Sequence, residues 1–117
     1  MRFYFSGLLS EKAMGFIADV IDQTPSISVI TQIEALSWVS ADLDKELVIQ
    51  EFVKEAHILA LTNDIVIECV KIRRNKKIKT PDAIIAATAI VHNLTLITSD
   101  SDFNHVKRLK VINPKKL

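Results

Sequence analysis

Glycine is scarce in this sequence, where Gly7 and Gly15 are the only two among 117 residues. Loops that cradle the phosphates of a nucleotide need several glycines beside the start of a helix, in dinucleotide-binding folds and in P-loop enzymes alike. Two isolated glycines cannot supply such a loop. The sequence therefore argues against an enzyme built around a nucleotide cofactor.

Cysteine is scarcer still, because Cys69 stands alone. A single thiol excludes an internal disulfide and any zinc site built on several thiolates. No run approaches the roughly 20 apolar residues of a membrane-spanning helix. The amino-terminal MRFYFSGLLSEKAMGF also lacks the basic region, apolar stretch and cleavage site of an export signal. We expect a soluble protein of the reducing cytoplasm.

An excess of charge of one sign is also absent, since 15 basic residues face 14 acidic ones for a net charge of +1. A nucleic-acid or membrane partner would therefore have to be met by a local patch. Hydrophobic residues make up 49% of the chain, which is ample for a core. We expect residues 1–117 to form a single domain.

Apolar spacing predicts helices and strands in alternation. The predicted helices cover 7–21, a segment starting at Thr31, 43–56, a segment from Asn63 or Asp64 to about Arg74, a segment after Thr80, and 102–109; the strands cover 26–30, 57–61, 94–98 and 110–113. Such alternation favours an α/β fold, a three-layer α/β/α sandwich around a parallel sheet. The number of strands is low for that architecture.

Two helix starts carry local signals. Thr31 and Glu34 have the spacing of a capping box, which predicts that a helix begins at Thr31. Thr80, Pro81 and Asp82 combine a capping hydroxyl, a proline at the first helical position and an acid in the first turn. The helix after Asp82 is apolar on nearly every side, so we expect it to be buried.

Glu34, Asp82 and Asp100 each follow a strand or lie in the first turn of a helix. The carboxyl ends of parallel strands lie at one edge of a sheet, where these carboxylates can converge on Mg²⁺ or Mn²⁺. An acid at a helix start can also be a cap with no other role, and each acid taken singly fits that alternative. Asp82 fits it least, because Thr80 already offers a cap and a carboxylate beside an apolar helix is costly to bury.

The segment TPDAIIAATAIVHNLTLITSDSDF closely resembles the carboxyl-terminal signature of PIN domains, in particular of the VapC-type toxins. SVITQIEAL is similar to the S-x-x-T-x-x-E segment of that family, and KVINP resembles its closing strand. The resemblance covers roughly Ser26 to Pro114. It implies a PIN-like fold, metal-dependent ribonuclease activity on an RNA substrate and an antitoxin protein as partner.

The resemblance also implies roles for individual residues. Glu34 and Asp82 match the second and third acids of the PIN site, Asp100 the fourth, and Asp102 is an accessory or alternative to it, so that the expected Mg²⁺ or Mn²⁺ ligands are Glu34, Asp82, Asp100 and Asp102. Thr98 and Ser99 would line the same rim with hydroxyl groups.

The first acid of the PIN pattern, an aspartate after the opening strand, has no match before Glu34. In one alignment MRFYF is the first strand and Ser6 replaces the aspartate, although Ser6 lies only 28 positions before Glu34. In the other, which we favour, the strand and its acid lie upstream of Met1. A missing central strand would expose its neighbours and predicts a homo-oligomer. We then expect weak metal binding and little nuclease activity.

A basic segment, RRNKKIK, precedes Asp82. Its cations, Arg73, Arg74, Lys76, Lys77 and Lys79, are candidates to steer an RNA backbone towards the acids, or they complement the dipole at the end of a helix. Two other functions compete with the toxin-like ribonuclease. One is a catalytically silent PIN-like module that binds an antitoxin or RNA, and the other is an unrelated α/β interaction domain.

Overall fold

The computed structural model describes residues 3–5, as backbone, and residues 25–114. The strands are β1 (Phe3–Phe5), β2 (Ser26–Ser28), β3 (His57–Leu59), β4 (Thr95–Ile97) and β5 (Lys110–Ile112). The helices are α1 (Val29–Ser37), α2 (Leu43–Glu55), α3 (Asn63–Asn75) and α4 (Thr80–Val91), with a 3₁₀ turn at Ser101–Phe103. The helix predicted over 7–21 lies outside the described residues.

The strands form one parallel sheet in the order β3-β2-β1-β4-β5. This confirms the α/β fold class with a parallel sheet. The central strand is β1, where Tyr4 pairs with Ser26 on one side and with Leu96 on the other. The favoured alignment, with the central strand upstream of Met1, is therefore wrong, and Phe3–Phe5 supplies that strand. The prediction of a homo-oligomer depended on strands left exposed by a missing central strand, and β1 pairs with both of those strands.

Ser28 sets the start of α1. Its hydroxyl accepts a hydrogen bond from the Thr31 amide at 3.0 Å, which makes Ser28 the N-cap and Thr31 a residue inside the first turn. The predicted capping box at Thr31 is therefore wrong. The strand predicted over 26–30 ends at Ser28, because the cap turns Val29 and Ile30 into the helix despite their β-branched side chains.

The other helix starts differ less from prediction. The helix predicted over 43–56 is confirmed as α2, while α3 is capped by the Thr62 hydroxyl instead of Asn63 or Asp64.

The helix predicted over 102–109 is wrong beyond the short 3₁₀ turn. His105 and Arg108 have φ values of 70° and 69°, which no right-handed helix accommodates.

The core gathers around α4, whose Ala83, Ile85 and the three residues 87–89 are buried as expected. Ile65 and Ile72 of α3 pack into the same cluster, together with Leu96 of β4. Each fully buried side chain of this size contributes about 1.5–3 kcal/mol through the hydrophobic effect. Helix α4 is therefore a rigid support for Asp82 near its start.

Within the described residues, every helix is too short or too polar to cross a membrane.

Candidate metal centre

One edge of the sheet collects acidic side chains from three elements. The carboxyl end of β2 leads through the Ser28 cap into α1, which carries Glu34. The carboxyl end of β4 leads to Asp100, and α4 carries Asp82 in its first turn. Because β2 and β4 run parallel on either side of β1, their carboxyl ends meet at the same edge.

Asp82, Asp100 and Asp102 form a compact acid cluster. Each offers a carboxylate oxygen, and these three oxygens all lie within 4.8 Å of one another. Asp82 is half-buried, whereas Asp100 and Asp102 are exposed to solvent. Ligand oxygens lie about 2.1 Å from Mg²⁺, so small side-chain rotations allow these oxygens to meet one ion. Three converging carboxylates are the donor set that a hard divalent cation prefers.

A hydrogen bond to a buried residue fixes the turn that carries Asp100. Thr98 is 2% exposed, and its hydroxyl accepts a hydrogen bond from the Asp100 amide at 3.2 Å. The Asp100 carboxylate in turn accepts from the Asp102 amide at 2.9 Å. Thr98 therefore supports the cluster instead of lining an open rim, and Ser99 beside it is half-buried.

Asp82 is not a helix cap. Helix α4 has Lys79 at its N-cap position and no side-chain capping hydrogen bond, so the predicted cap at Thr80 is wrong. Burial raises the pKa of Asp82, and the negative charges of Asp100 and Asp102 raise it further, while Lys79 lowers it. The net shift is upward. The cluster therefore carries more negative charge than its surroundings balance, which a bound cation would relieve.

Glu34 lies at the margin of this cluster. Its side chain is exposed, and the group of acids within 4.8 Å of one another does not include it among the described residues. Burial raises the pKa of Glu34, and the charge of Asp82 adds to the shift, so the two carboxylates lie within electrostatic reach. Of the four expected ligands, the structure thus brings Asp82, Asp100 and Asp102 together and places Glu34 beside Asp82.

The raised pKa of Asp82 predicts a pH-dependent stability of the metal-free protein. A carboxyl group with a raised folded-state pKa stabilises the fold most below its unfolded pKa, and that contribution is lost as the pH rises through the folded value. Asp82→Asn is expected to increase the free energy of unfolding at pH 7, by less than about 1 kcal/mol because solvent screens the partly exposed charges. Urea unfolding with EDTA from pH 4 to 7 measures this. The gain should shrink as the pH falls, and a pH-independent gain would contradict it.

A basic concavity precedes α4 in the chain. It is lined by the residues from Arg73 to Ile78 at the end of α3, and the Arg73 Nε donates to the Ile78 carbonyl at 3.3 Å. Arg74 and Lys77 are exposed, and Lys79 follows at the N-cap of α4. Since Lys79 lowers the pKa of Asp82, the basic segment extends to the cluster itself.

The serine and threonine of the S-x-x-T-x-x-E segment form a hydroxyl pair to which sequence reasoning gave no role of its own. The Ser28 hydroxyl lies 3.2 Å from the Thr31 hydroxyl as well as capping α1, and both residues are buried. Thr31 precedes Glu34 by almost one helical turn, so this pair fixes the start of the helix that carries Glu34. A serine three residues before a threonine at the end of a strand was the available signal.

Comparison with known proteins agrees with this architecture. The family model described as "PIN domain" matches residues 3–109. No curated protein sequence gives a significant match. Among solved structures, a toxin-antitoxin complex from Klebsiella pneumoniae has 24% identity and a TM-score of 0.69, covering 97% of this chain and 98% of that one.

Two further solved structures have the same fold. FitAcB from Neisseria gonorrhoeae has 21% identity and a TM-score of 0.74, covering 98% of this chain and 99% of its own. VapBC2 from Rickettsia felis, bound to a DNA fragment from its promoter, has 17% identity and a TM-score of 0.72, covering 97% of this chain and 98% of its own. At these identities the likeness shows the fold alone.

Proposed function

This chain belongs to the PIN domain family, and from that premise we propose that it is a toxin-like ribonuclease dependent on Mg²⁺ or Mn²⁺. The observation that supports the proposal most is the acid cluster, three carboxylates within 4.8 Å at the carboxyl edge of a parallel sheet. Family membership also means that the alternative of an unrelated α/β interaction domain is wrong.

The position of each carboxylate suggests its role. Asp82, Asp100 and Asp102 would hold the ion. Glu34, beside Asp82, is placed to orient a water molecule or to accept a proton from it. A divalent ion held there would supply a water of lowered pKa and would stabilise negative charge on a phosphoryl oxygen. Thr98 keeps Asp100 in place through its bond to the Asp100 amide.

The site is one carboxylate short of the PIN pattern. The residue that follows β1 in the sequence is Ser6, which has no charge and lies outside the described residues. With one ligand fewer, the chain is expected to bind the ion weakly and to cleave RNA slowly. The same observation favours a second candidate function, a silent PIN module that still binds RNA or an antitoxin.

Cleavage of RNA by the purified chain distinguishes the two candidate functions. End-labelled RNA is incubated with the protein in Mn²⁺, with the same protein in EDTA as the control, and the products are resolved on a sequencing gel. The ribonuclease proposal predicts slow internal cleavage that requires Mn²⁺. RNA binding without any Mn²⁺-dependent product would support the silent module instead.

The basic concavity is our candidate RNA path, because its last lining residue, Ile78, is followed in the chain by Lys79, whose charge lowers the pKa of Asp82. Arg74→Ala/Lys77→Ala is expected to weaken RNA binding in EDTA and to lower the slope of log K against log salt by about 0.7 per lost phosphate contact. Arg73 is left intact because its side chain holds the turn. Lys45→Ala/Lys54→Ala on α2 removes the same charge as a control. If both variants give the same slope of log K against log salt, the basic segment does not contact RNA and is only a solvated helix end.

We further propose an antitoxin protein as the partner, seated on the exposed face of α1. Ile33 and Leu36 flank Glu34 in the sequence and are 55% and 51% exposed. Exposed apolar side chains favour a protein partner, and one seated on α1 would cover part of the helix that carries Glu34. Leu36→Asp is expected to weaken the complex with a candidate antitoxin, measured by calorimetry. Leu61→Asp, on an exposed apolar residue outside α1, is the control, and equal loss in both variants would contradict this placement.

A further inference from the structure

An acidic residue lies on the buried face of α3. Glu68 is 7% exposed and shares that face with Ile65, Cys69 and Ile72, which belong to the main core cluster. A carboxylate at such a position is unfavourable unless a cation or hydrogen-bond donors meet it. No acid is needed there to form the helix, because Thr62 already caps it.

The partner of Glu68 is Arg108, which lies 40 positions later in the connection between the 3₁₀ turn and β5. The Arg108 Nη2 donates to the Glu68 Oε1. The Glu68 side chain is 9% exposed and that of Arg108 is 64% exposed, so the pair lies where the core meets solvent. The contact ties α3 to the segment that directly follows Asp100 and Asp102.

The backbone of this connection requires such support. His105 and Arg108 both adopt the left-handed region, with φ of 70° and 69°. Residues with a Cβ adopt this region at a cost, and they remain there only when their surroundings hold them. Phe103 and Val106 anchor the connection in the core, and the Asn104 amide donates to the Ser101 carbonyl at 3.0 Å.

We propose that the Glu68–Arg108 ion pair is a positioning device for the acid cluster. The Asp100–Asp102 turn is fixed on its amino-terminal side by the bond from the Asp100 amide to Thr98. On the other side, the pair holds the connection, and with it the direction in which Asp100 and Asp102 face Asp82. This inference rests on the proposed metal site, and both residues act through the turn without touching the ion.

Three substitutions test the proposal in the full chain. Arg108→Ala breaks the pair, Arg108→Lys keeps its charge, and Lys107→Ala removes a neighbouring exposed cation as the matched control. Arg108→Ala is expected to lower Mn²⁺ affinity by about tenfold, a typical loss when a group that orients metal ligands is removed. Arg108→Lys should recover most of that loss, and Lys107→Ala should bind Mn²⁺ as the parent chain does.

A second measurement reads the turn without any metal. Hydrogen exchange of the Asp102 and Asn104 amides, which donate within the turn, should be faster in Arg108→Ala than in the parent chain. Should Arg108→Ala unfold, Glu68→Met/Arg108→Met replaces the pair with apolar side chains of similar length, a change that often preserves stability. That double variant should show the same faster exchange and the same weaker Mn²⁺ binding.

The outcomes separate this inference from the proposed function. Mn²⁺ affinity and amide exchange equal to the parent chain in both pair variants, with only a lower melting temperature, would overturn the positioning role. If neither the parent chain nor any variant binds Mn²⁺, the proposal of a metal site is wrong. Faster exchange confined to the pair variants would then still support positioning of the turn.

Discussion

Asp82→Asn is expected to abolish Mn²⁺-dependent RNA cleavage and to lower Mn²⁺ affinity by at least about a hundredfold, the upper end of the loss seen when a group outside the ligand shell is removed. Asp82 is coupled to each of the other acids. Burial raises its pKa and the charges of Asp100 and Asp102 raise it further, while the charge of Asp82 adds to the burial that raises the pKa of Glu34. Asparagine keeps the size of the side chain but removes the charge that attracts the ion. Calorimetric titration with Mn²⁺ and the gel assay measure the two losses.

Stability does not confound this experiment. In the metal-free protein the raised pKa of Asp82 means that its charge is unfavourable at pH 7, so Asp82→Asn should be at least as stable as the parent chain. Asp64→Asn is the matched control, because Asp64 is also an acid in the first turn of a helix but is exposed and lies outside the acid cluster. Unchanged cleavage by Asp82→Asn would show that the activity comes from another site or from a contaminant.

The segment around α4 and β4 was predictable because its signals are local. Pro81 and Asp82 mark a helix start whatever the rest of the chain does, and the helix that follows is apolar on nearly every side, which predicts burial. The strand after it follows from a short apolar run, whereas the helix predicted after Asp100 is only a 3₁₀ turn. These elements carry three of the expected ligands.

The central strand was not predictable in the same way. β1 has only three residues, and no alternation or turn signal marks them as the middle of a sheet. Its place between β2 and β4 depends on parallel pairing with strands at Ser26 and Thr95, far along the chain. Pairing of this kind depends on long-range packing, which a local reading of a sequence does not contain.

The composition of the acid cluster also depends on geometry that spacing leaves open. Asp100 and Asp102 were alternatives for one ligand position, yet both lie with Asp82 because the 3₁₀ turn places their carboxylates on the same side. Glu34 lies outside the 4.8 Å group, on a helix that begins after Ser28, three residues earlier than the predicted cap.

Ser6→Asp is expected to strengthen Mn²⁺ binding by about ten- to thirtyfold and to raise the rate of RNA cleavage. Ser6 follows β1, the central strand, and the carboxyl ends of both neighbouring strands lead to acids of the site. Even with the dielectric constant of water, a carboxylate about 4 Å from a divalent ion gains about 2 kcal/mol, which corresponds to that range. Calorimetry and single-turnover cleavage in Mn²⁺ measure the two effects.

The metal-free form of this variant should change in the opposite direction. A fourth carboxylate adds repulsion to a cluster whose charge already raises the pKa of Asp82, so Ser6→Asp should lower the melting temperature in EDTA. Saturating Mn²⁺ should then raise that temperature by more than it does in the parent chain, since tighter binding gives more stabilisation.

Ser10→Asp adds the same charge four positions later as a control. If both variants bind Mn²⁺ no better than the parent chain, position 6 is not where the missing acid belongs. A site completed by Ser6→Asp, beside a parent chain that does not cleave RNA, would instead identify this protein as a PIN domain silenced by a single residue.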